Sequence, residues 1–340
     1  MLNKILIVGH GSAGKRHLQI AKILLPNSDI RVYNYKACRN LSNSANGFFT
    51  KTVDVIRYSP NVAIIANPAP FHLKISKILA KIGCHLMIEK PLSSNLKGVK
   101  NLLQIAKRKK IVLQVGYNMR FLKSLKRFME LIRSRNIGKI LSFNSEVGQD
   151  LLTWRPGINY RKSVSARADL GGGVLLELSH ELDYARWIFG DIKWASAWYG
   201  KLGNLKIDVE DSARLVFGFK SKIMVPGGVG SIALDCVRKN PTRFCMAIGS
   251  DGSLRWDGLN GNIARFDSKQ NCWKVIYQAK ESRNQSYINE WKSFISSVRT
   301  RAQPQVSGDD GIAVLQILEA IKKSNKQQGK RIRISTIGLK

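Results

Sequence analysis

The stretch from Lys4 to Leu25 constrains the fold more than any other part of the chain. Lys4-Ile5-Leu6-Ile7-Val8 is short, apolar and β-branched, the pattern of a strand buried on both faces. Gly9-His10-Gly11-Ser12-Ala13-Gly14 follows at once in the spacing G-x-G-x-x-G. Lys15 to Leu25 then carries Leu18, Ile20, Ala21, Ile23, Leu24 and Leu25 at helical intervals, and Pro26-Asn27 ends the run. In a strand–turn–helix unit, Gly9 permits the tight turn, Gly11 lets the backbone approach a pyrophosphate, and Gly14 lets the helix lie close on the strand. The free amides and dipole at the helix start favour phosphate charge. An ordinary glycine turn has the same six letters, but the strand before and the helix after select a dinucleotide site. Gly9, Gly11, Ser12, Ala13 and Gly14 are the expected contacts.

The next segments repeat the alternation. Ile30-Arg31-Val32-Tyr33, Asn61 to Ala66, Cys84 to Ile88 and Ile111 to Val115 read as strands, with helices at Phe71 to Lys81 and Asn95 to Lys109. Such alternation implies a doubly wound parallel sheet, which binds ligands outside the carboxyl ends of its strands. Asn67-Pro68 and Glu89-Lys90-Pro91 both fall on that edge, as does the glycine loop. Cofactor choice is set about 20 residues beyond the glycines, where an acidic residue holds a ribose 2′-hydroxyl. Here Asn34-Tyr35-Lys36-Ala37-Cys38-Arg39 has no carboxylate, so Asn34, Lys36 and Arg39 point to the 2′-phosphate of NADP rather than to NAD.

Beyond Leu122 the texture changes to long alternating segments: Ile140 to Val147, Lys193 to Tyr199, Arg214 to Phe219, Gly230 to Val237 and Arg243 to Ile248. Asp251-Gly252 and Asn260-Gly261 are turn signals between them. Late helices are expected at Tyr287 to Val298 and Gly311 to Lys323. The expected architecture is α/β: a Rossmann domain over 1–121, then an α+β domain over 122–340 with an open, mainly antiparallel sheet.

A chain of 340 residues is long enough for two such cores. No signal peptide is expected, since the first apolar run ends at Val8 and glycines follow, and no apolar run reaches the ~20 residues that span a bilayer. Five cysteines, an odd count with no C-x-x-C pair, argue against a disulfide framework or a zinc cage and fit a reducing cytoplasm. The formal net charge of +33 is unusual. A generally basic surface and the steering of anionic ligands both account for it. The densest runs, Lys107-Arg108-Lys109-Lys110 and Lys322 to Arg333, read as solvated helix ends, and no zinc finger or RNA-binding aromatic signature accompanies them. No specific nucleic-acid partner is expected.

Hydride chemistry at a nicotinamide needs a group that takes the alcohol proton. Lys90 is the first candidate, placed at the ligand edge and held extended by Pro91. The second lies beyond Gly171-Gly172-Gly173, which are expected to open a helix whose N-terminus approaches a ligand or the cofactor. Glu177, His180 and Asp183 recur at three-residue spacing, which places them on one face of that helix and lets the carboxylates orient the imidazole. A buried structural histidine is the plainer alternative. A metal is not expected, since no cysteine or second histidine lies nearby.

These residues together resemble the glucose–fructose oxidoreductase / inositol dehydrogenase / rhizopine-catabolism (Gfo/Idh/MocA) family. The ordered set is Gly9-x-Gly11-x-x-Gly14-x-x-His17, Asn67-Pro68 with His72 downstream, Glu89-Lys90-Pro91, Gly116-Tyr117-Asn118-Met119-Arg120-Phe121, and Gly171-Gly172-Gly173 leading to His180-x-x-Asp183. The resemblance implies an NAD(P)-dependent oxidoreductase of sugars, sugar acids or nucleotide sugars, with a non-catalytic nucleotide sensor as its rival. It implies Lys90 as catalytic, His180 as its acid/base partner, and Asn67, Pro68, His72 and Glu89 near the cofactor. It implies that the second domain's sheet makes oligomer contacts, as a homodimer or homotetramer. The family usually has Asp before the histidine at a longer spacing; here Glu177 stands three residues before His180. Arg120, Arg155, Tyr160, Arg161 and Glu177, with His180, are the expected substrate contacts. Trp154-Arg155-Pro156 and the arginines after it resemble members of surface-polysaccharide pathways, where guanidinium groups suit anionic sugars.

Overall fold

The computed structural model describes residues 2–35, 45–282 and 284–335. They form two compact units. One runs through Asn118 and resumes over Ser286–Leu315; the other comprises Met119–Gln285 and the segment from Gln316.

The first unit is built from β1 (Lys4–Val8), α1 (Ser12–Leu24), β2 (Asp29–Tyr33), β3 (Gly47–Phe49), α2 (Thr52–Tyr58), β4 (Val62–Ile65), α3 (His72–Lys81), β5 (His85–Glu89), α4 (Val99–Arg108) and β6 (Leu113–Gly116). Six parallel strands lie in the order β3-β2-β1-β4-β5-β6. The order reverses between β1 and β4, which is where a doubly wound sheet opens its ligand crevice. Ile5, Leu6, Ile7, Ile64, Ile65, Leu86 and Ile88 have no exposed surface, as expected for strands covered on both faces. The helix expected from Asn95 begins only at Val99. Asn95 Oδ1 accepts from the Lys97 amide at 2.9 Å, a local turn that competes with the helix.

The second unit contains α5 (Lys123–Arg133), β7 (Ile140–Gly148), α6 (Leu151–Trp154), α7 (Val174–Glu177), α8 (His180–Phe189), β8 (Asp191–Gly200), β9 (Ser212–Lys220), β10 (Met224–Asp235), β11 (Thr242–Gly249), β12 (Gly252–Asp257), β13 (Asn262–Asp267) and β14 (Cys272–Gln278). The chain then forms α9 (Gln285–Thr300), α10 (Gly308–Lys326) and β15 (Ile332–Arg333). The nine strands run β14-β13-β12-β11-β7-β10-β9-β8-β15, antiparallel except for β7 with β10. One face of this sheet is covered: Phe143 stacks on Phe189 of α8 with ring centroids 4.0 Å apart. The other face leaves Leu141, Trp198, Val216, Val229 and Ile248 exposed.

The sequence reading did not anticipate α9's place. It belongs to the first unit, where Trp291, Phe294 and Val298 pack with Ile5, Ile7, Leu18, Ile30 and Ile64. Burying those three side chains stabilises the first unit by roughly 4.5–9 kcal/mol at about 1.5–3 kcal/mol each. Among the described residues, no helix is long and apolar enough to cross a membrane.

Candidate active site

The glycine loop joins β1 to α1. Gly9 has φ +93°, and a Cβ there would lie 2.8 Å from Ala66 O and Asn67 N, at the end of β4. A Cβ on Gly14 would lie 2.1 Å from Gly9 O. Both positions therefore require glycine for the protein's own packing. Gly11 differs: a Cβ there would meet nothing within 4 Å. The bareness of Gly11 serves no contact inside the chain; it leaves room for something that approaches the backbone. α1 starts at Ser12 without a side-chain cap and with no acidic residue in its first turn, so its leading amides are open to an anion. His10 Nε2 and Asn67 Oδ1, beside this loop, are buried without a hydrogen-bond partner. Cleared space, uncapped amides and orphaned polar atoms at the β1 and β4 ends fit a dinucleotide. Asn34 follows β2, and its amide donates to Phe49 O at 3.1 Å. Lys36 and Arg39 lie outside the described residues.

Lys90 follows β5 and is partly exposed. Its amide donates to Glu89 Oε2 at 3.2 Å, while Glu89 Oε1 meets His17 Nε2 at 2.8 Å. The Trp291 indole N–H, which can only donate, bonds His17 Nδ1 at 2.9 Å. That bond fixes the tautomer: Nδ1 accepts, Nε2 carries the proton, and Glu89 receives it as an ionised carboxylate. Burial pushes the Glu89 carboxyl up, but the hydrogen bond from His17, with Lys90 beside it, holds it below the usual value. A line of bonds thus runs from α9 through α1 to the turn that carries Lys90. His17 and Trp291 are the residues of this line to which the sequence assigned no role. His17 stands in the glycine motif with nothing nearby to mark its partners, and Trp291 gives no local signal at all.

His72 needs correction. It is only 1% exposed, with Nε2 2.7 Å from Asn67 O and Nδ1 3.1 Å from Pro91 O. Burial lowers its pKa, so the ring is neutral and its single proton belongs on Nε2, facing the nearer carbonyl. His72 braces the Asn67-Pro68 loop against the Lys90-Pro91 turn instead of presenting a surface to the cofactor. Glu89 likewise gives its carboxylate to His17 and the Lys90 amide.

In the second unit the expected single helix is broken. α7 ends at Glu177 and α8 starts at His180, so Glu177 does not share a helix face with His180 and Asp183. The glycines before α7 do not clear a path for a ligand either. A Cβ on Gly173 (φ +93°) would lie 2.3 Å from Glu210 Oε1, and one on Gly172 would lie 2.4 Å from Val164 O. Glu210 Oε1 accepts from the Leu175 amide at 3.0 Å and occupies the helix start. Burial raises the Glu210 pKa against that amide bond. Glu210 precedes β9 with no motif to mark it.

Glu177 Oε2 accepts from Ser165 Oγ at 2.9 Å. Ser165 shares a crevice with Arg155 and Tyr160, so the structure brings three of the expected substrate contacts, Arg155, Tyr160 and Glu177, into one neighbourhood around Ser165. The crevice holds about 10 Å³, no more than one water. Arg161 lies over the Tyr160 ring, 5.8 Å from its centroid. Arg120, expected at substrate, is 5% exposed and binds Asp183 twice: Nε to Oδ2 at 2.8 Å and Nη2 to Oδ1 at 2.6 Å. His180 is the first residue of α8 and is partly exposed.

Residues 3–117 match the oxidoreductase family with an NAD-binding Rossmann fold, and residues 125–255 match the GFO/IDH/MocA C-terminal domain. The chain belongs to the Gfo/Idh/MocA family of oxidoreductases. It is 25% identical to the myo-inositol 2-dehydrogenase of Thermotoga maritima, covering 96% of this chain and 97% of that one. Its fold is similar to a levoglucosan dehydrogenase solved with NADH and levoglucosan (TM-score 0.84, 20% identity, 98% of this chain and 99% of that one). It is also similar to the WlbA dehydrogenase of Bordetella pertussis solved with NADH and UDP-GlcNAcA (TM-score 0.81, 19% identity, 98% and 99%). The protein is an NAD-binding oxidoreductase, and the catalytic reading is favoured over the nucleotide sensor.

Proposed function

We propose that the protein moves a hydride between a nicotinamide dinucleotide and a carbinol carbon of a cyclic polyol, sugar, sugar acid or nucleotide sugar. The open space at Gly11, bounded by two glycines that the fold itself requires, carries this reading. When bound, the dinucleotide supplies the hydride acceptor. Gly9, Gly11, Ser12, Ala13 and Gly14 would hold its pyrophosphate, with Asn34 and Asn67-Pro68 toward its two ends. Lys90 takes the hydroxyl proton at Nζ as the alcohol becomes a carbonyl, and His180 is its acid/base partner. The His17–Glu89 bond keeps the backbone under Lys90 in place. Arg155, Tyr160, Arg161 and Glu177 serve the substrate, and Arg120 acts through Asp183 by fixing α8.

The absence of any carboxylate between Asn34 and Lys51 supports NADP over NAD. The half-exposed apolar face of the nine-stranded sheet supports a homodimer or homotetramer. The test is Lys90→Met assayed with both cofactors against myo-inositol, levoglucosan and UDP-sugar acids. Cofactor affinity is expected to hold while turnover falls by about 10²–10⁴. Full turnover in the variant would remove Lys90 from the chemistry. NADP is expected to bind about tenfold tighter than NAD, the worth of one charge-assisted bond. Equal affinities would refute that preference.

A further inference from the structure

The edge of the parallel sheet opposite the glycine loop holds a polar contact that cannot be satisfied as it stands. His85, the first residue of β5, is 6% exposed. The Val112 amide N–H donates to its Nδ1 at 2.9 Å. That bond requires a bare lone pair on Nδ1, so the ring's proton is on Nε2. Nε2 lies 2.8 Å from Arg301 Nη1. A guanidinium has no acceptor, so two N–H donors face each other. Protonating the ring does not help, because it adds a charge beside a charge. Burial, with Arg301 adding to it, pushes the imidazole pKa down to about 4, so the ring stays neutral. Arg301 spends its remaining reach on Lys110 O at 3.4 Å.

What resolves two opposed donors is an oxygen that accepts from both. The surroundings select a charged one. His85, Arg299 and Arg301 line a groove of about 840 Å³ together with Asn27, Ser28 and Asn61, and no carboxylate lines it. Arg301 also borders a second groove of about 830 Å³, where Lys107, Lys109 and Lys110 face one carboxylate, Asp309. Each groove is within the size range of small-molecule sites. The lysine run that stood out in the sequence therefore borders this position and adds to its positive potential.

We propose that this edge of the first unit carries an anion site, separate from the glycine loop, for the phosphate group of a phosphorylated small molecule. A phosphate oxygen accepts from His85 Nε2–H and from the Arg301 guanidinium, with the exposed Arg301 side chain drawing back to admit it. Asn27, Asn61 and Arg299 offer polar contacts to the rest of the molecule. The site is independent of the hydride chemistry.

The test uses the full chain saturated with NADPH or NADH, so that the glycine loop does not report. ADP and inorganic phosphate are titrated by calorimetry, and the His85 ring nitrogens are followed by ¹⁵N NMR. Binding is expected to move the Nε2–H signal. Arg301→Met should weaken it by about tenfold to a hundredfold, and Arg301→Lys by less. ADP binding more tightly than phosphate would show that the groove reads the nucleoside; equal binding would leave phosphate as the sole determinant. No binding, binding unchanged in Arg301→Met, or an unmoved His85 signal would overturn the proposal.

Discussion

Removing the charge of Asp183 is expected to be among the most damaging isosteric changes in the second unit. The Asp183 side chain is 2% exposed and that of Arg120 5%, and the two share bonds of 2.8 and 2.6 Å. The Trp187 ring lies 5.7 Å from the guanidinium and adds a second cover. Asp183→Asn keeps the shape but strands a buried cation, at a cost of about 3–5 kcal/mol. At about 2–4 °C per kcal/mol, the second unit's melting temperature should fall by roughly 10 °C. Arg120→Met combined with Asp183→Leu removes both charges and fills the space with apolar atoms, so most of that loss should return. Calorimetry of the wild type, Arg120→Met, Asp183→Leu and the double variant yields the coupling energy directly. A loss under about 1 kcal/mol in Asp183→Asn, or additive single effects, would refute the argument that the pair stands or falls as a unit.

Trp291→Phe should strip His17 Nδ1 of its donor, cost about 1–3 kcal/mol and let the ring exchange tautomers; an unchanged ¹⁵N pattern for His17 would show that the indole does not set it. Gly11→Ala should melt like the wild type, to within about 0.5 kcal/mol, yet bind dinucleotide more weakly. Gly14→Ala should lose stability outright, because the new methyl meets Gly9 O; fluorescence titration and thermal unfolding separate the two outcomes. Glu290 is fully buried, neither of its carboxyl oxygens has a partner, and burial followed by repulsion from Glu89 raises its pKa well above 4.5. The folded chain therefore holds this proton where the unfolded chain has released it. Stability is lost as pH rises above 4.5, by about 1.4 kcal/mol per pH unit until the folded value is reached. Glu290→Gln should match the wild type near pH 4.5 and exceed it increasingly as the pH rises, until Glu290 ionises in the folded chain, and a pH-independent difference in unfolding free energy would contradict this.

What the sequence made legible was local. The β1–loop–α1 unit could be read because its apolar run, glycine spacing and helical pattern are contiguous, and the roles of Gly9 and Gly14 follow from backbone crowding alone. The strands of the second unit were legible from alternation: Arg214 to Phe219 is the centre of Ser212–Lys220, and Arg243 to Ile248 of Thr242–Gly249. What stayed hidden depends on partners distant in the chain. Nothing near Gly173 announces that its missing side chain makes room for Glu210. The break between Glu177 and His180 carries neither proline nor glycine, so helical spacing ran straight through it. The bond between Trp291 and His17 joins residues that share no pattern, and only the folded first unit puts them together.

The placement of α9 has a consequence for biosynthesis. The six strands of the first unit have all been synthesised by Gly116, but one layer of their hydrophobic cluster is supplied by Trp291, Phe294 and Val298. At translation rates of about 5–20 residues per second, the nascent sheet stays uncovered on that side for roughly ten to thirty seconds. A fragment cut near residue 121 would never acquire the missing layer, so expressing the nucleotide-binding half alone should yield aggregate unless the segment 286–315 is supplied with it.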